Sequence, residues 1–241
     1  MHTLFISDLH LHESRPQITR AFFHFLHTQA VNADALYILG DFFDTWIGDD
    51  DDSALALEVA NELQQVHSRG TAIYFIHGNR DFLLGKDYAD KAGMTLLPEI
   101  SIINLYGTPT LIMHGDELCT EDTEYQQFRT MVRSQKWQQQ ILSQPLTARR
   151  ALAAQLREKS QSMNSLKSDH IMDVTPSEVI NQMQTAGVTR LIHGHTHRPA
   201  RHDLNLDGQT AERIVLGDWH DFGWCIKASQ EKLTLERWAI A

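Results

Sequence analysis

The feature that most constrains this chain is a repeated join, in which a short apolar run is stopped by Gly or Ser beside Asp, Asn or His. Five such runs read TLFISDLH (3–10), ALYILGD (35–41), AIYFIHGN (72–79), TLIMHGD (110–116) and RLIHGHTH (190–197), and RIVLGDWH (213–220) has the same character. Runs this short, rich in β-branched and aromatic residues, read as buried strands that end at functional loops. Helical stretches lie between some of them: PQITRAFFHFLHTQA (16–30) has Pro16 near its start, and SALALEVANELQQVHSRG (53–70) begins at Ser53 and closes on Gly70. Such capping residues mark helix ends. Alternating strand and helix predicts an α/β sheet protein, whose ligands gather at the carboxyl ends of its strands.

Those ends carry Asp8, His10, Asp41, Asn79, His114, His195 and His197. All seven offer oxygen or imidazole nitrogen and none offers sulfur, a donor set that suits two divalent ions such as manganese, iron or zinc. Asp41 is the natural bridge, since a carboxylate has two oxygens. One ion would then take Asp8, His10, Asp41 and His197, and the other Asp41, Asn79, His114 and His195. Two metals about 4 Å apart can acidify a bridging water and stabilise a phosphoryl group under in-line attack.

The ordered blocks DLH, GDFFD, GNRD, HGD and GHTH, spanning residues 8 to 197, resemble those of the calcineurin-like metallophosphoesterases. The resemblance implies a β-sandwich flanked by helices with two metals at one edge. His195 and His197 then fit the G-H-x-H block, and His193 packs or hydrogen-bonds instead. Where the family usually has G-N-H-[DE], this chain has Gly78, Asn79, Arg80 and Asp81. That departure, with YILGDFFDTWIGDDD, YFIHGNRDFLLG, MHGDELCTEDTEYQ, SLKSDHIMDV and LIHGHTHRP, is similar to a branch of the family that cleaves the pyrophosphate of UDP-2,3-diacylglucosamine. The expected products are UMP and 2,3-diacylglucosamine 1-phosphate (lipid X), made in lipid A biosynthesis by water attack on the α phosphorus, with manganese as the metal. By family position Asn79, Arg80 and His195 are the catalytic residues, and Asn79, Arg80, Asp122, Ser160, Asn164, Lys167 and His195 contact substrate. A sugar phosphate leaves without needing a proton, so a fixed guanidinium at position 80 is more useful than an acid. Asp44, Asp81 and Asp116 are expected to orient ligands. Asp218 falls in no block and is left out.

Residues 120–169 break the strand pattern and read as a helical cap inserted into a core of 1–119 and 170–241. Between Arg129 and Ser168 the chain holds eight Lys or Arg against one acid, Glu158, although the whole chain carries −10 at pH 7. An acidic body holding a basic insert would face an anionic substrate or an anionic membrane surface; the overall charge argues against nucleic acid. Arg157, Ser160, Asn164 and Lys167 share one helix face. The mixture of Trp, Ile and Leu with Arg149 and Arg150 in residues 137–156 suggests a peripheral anchor, and DDDD (49–52) reads as a solvated loop entering a helix. Cys119 and Cys225 form no CxxC pair and read as structural, which fits a reducing compartment. The N-terminus lacks signal-peptide features, and no apolar run of about 18 residues could span a bilayer. The chain is therefore expected to be cytoplasmic, peripheral on the inner face of the bacterial inner membrane, with no protein partner inferred. The alternatives are a metallophosphoesterase acting on a soluble nucleotide pyrophosphate, which would not require an apolar-lined cap, and a non-catalytic scaffold of the same fold.

Overall fold

The computed structural model describes residues 1–164, 171 and 173–240, the side chains of 159–164 excepted. Strands β1 (Thr3–Ile6), β2 (Ala35–Ile38), β3 (Ala72–Phe75) and β4 (Met94–Leu96) run parallel. The hairpin β10 (Phe222–Ala228) and β11 (Leu233–Ala239) adds to β1, giving the order β11-β10-β1-β2-β3-β4. A second sheet has the order β5-β6-β7-β9-β8, from β5 (Ile100–Leu105), β6 (Thr108–Met113), β7 (Arg190–His193), β8 (Ala200–Leu206) and β9 (Gln209–Val215). All six runs singled out above contain or adjoin one of these strands.

Alternation along each strand divides the core into layers, because successive side chains take opposite faces. Phe5, Ile112, Ile192 and Ile226 fill the space between the sheets. Leu4 and Ile6 face outward with Leu36, Ile38, Ile73 and Phe75, under α1 (Pro16–Thr28), α2 (Ala54–Ser68) and α3 (Lys86–Ala92). Leu111, Met113 and Leu191 point the other way, onto Val179 and Met183 of α7 (Pro176–Ala186). The result is two sheets sandwiched by helices. The α2 boundaries follow from its ends: the Ser53 side chain accepts from the Ala56 amide, and Gly70 beyond the helix has φ +109°.

Three helices, α4 (Thr123–Val132), α5 (Gln135–Leu142) and α6 (Leu146–Asn164), lie between β6 and α7. They are fastened to the core by ion pairs. Arg149, almost fully buried, pairs with Asp50 and donates to the Ile47 and Gln144 carbonyls. Arg150 binds Asp51 and Asp52, while Asp49 accepts from Trp46 Nε1 and the amides of Gly85 and Tyr88. The acidic run is both solvated and bonded to the insert: Asp50 and Asp52 keep exposed side chains while they hold Arg149 and Arg150. The contrast between basic insert and acidic body is at least partly an intramolecular latch.

Candidate dinuclear metal centre

Backbone bonds continue past the strand ends and draw the loops into one edge of the sandwich. Asp8 N donates to Gly40 O, His10 N to Asp41 O, Gly194 N to His114 O and Trp219 N to Asp8 O. The chain turns sharply there, and Asp8, His10, Asp41, His195 and His197 all have positive φ, between 48° and 68°. Each such residue costs on the order of 1–3 kcal/mol, and strain of this kind concentrates at functional sites. Close approach explains two glycines. A Cβ on Gly78 would collide with the Asp41 amide, and one on Gly194 with the side chains of Ser7 and Asp8.

Two groups of donors result. In the first, His197 Nε2 lies 3.3 Å from His10 Nε2 and 3.4 Å from Asp8 Oδ1, and His10 Nδ1 is 3.9 Å from Asp41 Oδ2. In the second, Asn79 Oδ1 is 3.0 Å from His114 Nε2 and 2.9 Å from His195 Nδ1, while Asp41 Oδ1 is 3.6 Å from His114 Nε2. Asp41 thus reaches both. Asp8 Oδ1 and His10 Nδ1 are buried without hydrogen-bond partners, which is costly unless a cation satisfies them. His114 Nδ1 donates to the Leu39 carbonyl at 2.8 Å, fixing the tautomer that leaves Nε2 as a ligand. The residues fit two divalent ions.

The electrostatics agree. Burial opposes ionisation of Asp8, yet the surrounding His197, His114 and His10 hold it well below the ordinary carboxylate range. Burial also opposes protonation of His114, but Asp41, Asp8 and Asp116 push it up to about 9. Burial and the neighbouring His114 bring His195 down to about 4, so it stays neutral. His193 is brought down to about 3 by burial and Arg213; its Nδ1 bonds the Gly194 carbonyl.

The other expected residues occupy varied places. Arg80 donates its backbone amide to Asp41 Oδ1 at 2.8 Å, while its guanidinium Nε, 3.9 Å from Asp41 Oδ2, is buried with no hydrogen-bond partner. Asp81 spans two ligand loops, accepting from Gly78 N at 2.8 Å and Phe42 N at 2.7 Å. Asp116 touches the insert, taking Tyr125 Oη at 2.5 Å and Arg129 Nε at 2.8 Å, while Asp44 takes Arg157 of the insert at 2.9 Å and also Arg15 at 3.4 Å, which donates to the carbonyl of His10. Asp122 is the N-cap of α4, accepting from Tyr125 N. The side chains of Ser160 and Asn164, and the whole of Lys167, lie outside the described residues.

Sequence reasoning missed three residues. Asp218 Oδ2 lies 3.7 Å from His197 Nδ1 and so faces the ring side away from the donors; its GD step at the end of an apolar run was the available signal. Ser7 donates to Asp8 Oδ2 at 2.6 Å, and the Tyr125 ring lies near-parallel to His195 with centroids 6.2 Å apart. Cys119 and Cys225 are buried free thiols, Cys119 pushed up to about 12 by burial and nearby carboxylates.

Beside Asn79 and Arg80 opens a chamber of about 480 Å³ whose wall includes Trp46, Phe82, Phe128, Trp137, Ile141 and Leu152. The apolar residues of the insert that suggested an anchor therefore face inward in large part.

A two-sheet α/β sandwich with such a donor cluster at the strand ends defines a metal-dependent phosphoesterase. The description "Calcineurin-like phosphoesterase" matches residues 1–199, and the chain belongs to that family. It is also similar to full-length proteins named UDP-2,3-diacylglucosamine hydrolase. The one from Cellvibrio japonicus is 62% identical over 240 residues, covering 100% of both chains. That from Marinobacter nauticus is 52% identical over 232 residues, covering 96% of this chain and 95% of the relative. That from Yersinia pseudotuberculosis is 51% identical over 235 residues, covering 98% of each.

Proposed function

We propose that this protein hydrolyses the pyrophosphate of UDP-2,3-diacylglucosamine, giving UMP and 2,3-diacylglucosamine 1-phosphate for lipid A biosynthesis. The observation that carries the reading is the apolar chamber opening directly onto Asn79 and Arg80 at the donor cluster. Its size is that of a ligand pocket, and acyl chains are the half of the substrate that needs such a wall. The names of the relatives agree.

Asp8, His10, Asp41 and His197 would hold one divalent ion, and Asp41, Asn79, His114 and His195 the other. When bound, these ions, manganese by the family resemblance, supply an acidified water and neutralise phosphoryl charge. The residues of the chain do the rest. Arg80 and Asn79 contact the pyrophosphate, with the guanidinium opposing charge that builds as the phosphorus–oxygen bond to the sugar phosphate breaks. His195, kept neutral and flanked by the Tyr125 ring, contacts the phosphoryl group under attack. Water adds to the α phosphorus, the bridging oxygen leaves with the bond electrons on the sugar phosphate, and the water proton passes to solvent. Residues 120–169 act as the cap over the acyl chains, and by family position Asp122, Ser160, Asn164 and Lys167 contact substrate. Because the substrate resides in a bilayer, the enzyme acts as a peripheral protein on the cytoplasmic face of the inner membrane.

The test compares UDP-2,3-diacylglucosamine with UDP-glucosamine lacking acyl chains, each with the manganese-loaded protein. A large preference for the acylated substrate supports the reading. Equal rates would favour a soluble nucleotide substrate, and no hydrolysis of either would favour a scaffold.

A further inference from the structure

Helix α6 has a cavity on each side. The apolar chamber lies on one; on the other is a larger space of about 790 Å³, bounded by the loops that continue from His10 and Asp41. Its wall is about half polar, with His12, Glu13 and Ser14 on one loop and Asp51, Asp52 and Ser53 on the other, beside Leu11, Phe43 and Leu55, whereas the first chamber is mainly apolar. Residues 44–47, Ala153 and Arg157 line both spaces, so the two share a wall. Cations gather at that wall. Arg15 and Arg157 both reach the single carboxylate of Asp44, at 3.4 and 2.9 Å, and Arg80 stands on the apolar side. Arg157 Nη1 is buried with no hydrogen-bond partner, and Arg15 also donates to the carbonyl of the ligand residue His10.

We propose that the second space is the nucleoside subsite: uracil and ribose occupy it, the acyl chains fill the apolar chamber, and the pyrophosphate crosses between them past Arg15, Arg157 and Arg80. The inference rests on the substrate reading above and adds where the uridine half goes. A molecule with one apolar and one polar half cannot place both in one greasy chamber, because burying ribose hydroxyls and uracil amides without partners is costly. Here the polar half meets hydroxyls, imidazole and carboxylates that can take its hydrogen bonds. At the far end Asp51 and Asp52 are already paired with Arg150, which also lines the space, so their carboxylates offer acceptors to base and sugar groups with no unpaired cation among the described residues there to draw in a further phosphate.

The test separates the contribution of the nucleoside from that of its phosphate. UMP and inorganic phosphate are titrated calorimetrically into the manganese-loaded protein and into Ala154→Trp and Ser14→Trp, which fill the space from opposite walls. Ala154 and Ser14 are both exposed and line this cavity alone. The wild type should bind UMP at least about tenfold tighter than phosphate, and both variants should reduce UMP to the phosphate level while leaving phosphate affinity unchanged, which shows the fold and metals are intact. Leu152→Trp, on the apolar side, should keep the UMP advantage. No advantage in the wild type, or one that survives both substitutions, overturns the proposal. Failure of the substrate reading is distinguishable, since it would appear as no hydrolysis of UDP-2,3-diacylglucosamine by the unaltered enzyme.

Discussion

Removing the Arg80 side chain separates its two connections to the centre. Its backbone amide holds Asp41 Oδ1 whatever the side chain is, and its guanidinium Nε has no hydrogen-bond partner. Arg80→Ala should therefore leave the fold and the metal content unchanged. Turnover should not survive so well. A charge-assisted contact is worth about 1.5–3 kcal/mol, and somewhat more where charge develops in the transition state, so kcat/KM should fall by about tenfold to a thousandfold. Arg80→Lys should recover part of this, because an ammonium keeps the charge but not the planar fork. Arg80→His restores the commoner family block, yet a largely neutral imidazole supplies less charge and should stay impaired on this substrate. The assay is steady-state hydrolysis of UDP-2,3-diacylglucosamine beside metal analysis and thermal melting of each variant. Loss of metal in Arg80→Ala would make position 80 a support for Asp41, and full activity of Arg80→His would refute the fixed-cation role.

Asp41→Ala should abolish turnover and lower bound metal by elemental analysis, since Asp41 reaches both donor groups; two bound metals with retained activity would contradict the bridge. Gly78→Ala should likewise lose metal, because the added methyl strikes the Asp41 amide. Arg149→Ala should keep the metals but lower the melting temperature, by about 1.5–3 kcal/mol of stability at roughly 2–4 °C per kcal/mol in a chain of this size; an unchanged melt would refute the latch. Without metal, His114 is raised to about 9 and carries a proton at neutral pH, which a metal must displace. Metal loading at pH 7 to 8 should thus release protons, read from the buffer dependence of the binding heat, and affinity should fall as pH falls, by about tenfold per unit for each displaced proton.

Much of the centre was legible because strand chemistry is local. An apolar run ending in Gly-Asp or Gly-His signals both the strand and the donor at its end, and the structure brings the donors so marked, Asp8 to His197, to one edge. What escaped depended on partners distant in sequence. Nothing near Arg149 or Arg150 announces Asp50, Asp51 and Asp52 about a hundred positions earlier, so a buried clamp and a membrane-facing basic patch look alike in the sequence. Asp218 bore the signal of a strand-end carboxylate, but its role depends on facing the far nitrogen of His197. Strands β5, β8 and β11 hold at most one buried residue each, and so gave no continuous apolar run to mark them.

The most direct test of the central claim is where the oxygen of water ends up. UDP-2,3-diacylglucosamine hydrolysed by the manganese-loaded protein in water enriched in the heavy oxygen isotope should give UMP carrying one labelled oxygen and unlabelled 2,3-diacylglucosamine 1-phosphate, both read by mass spectrometry, with a chelator stopping the reaction. Label in the sugar phosphate, or cleavage that persists after the metals are removed, would contradict metal-supported attack of water on the α phosphorus.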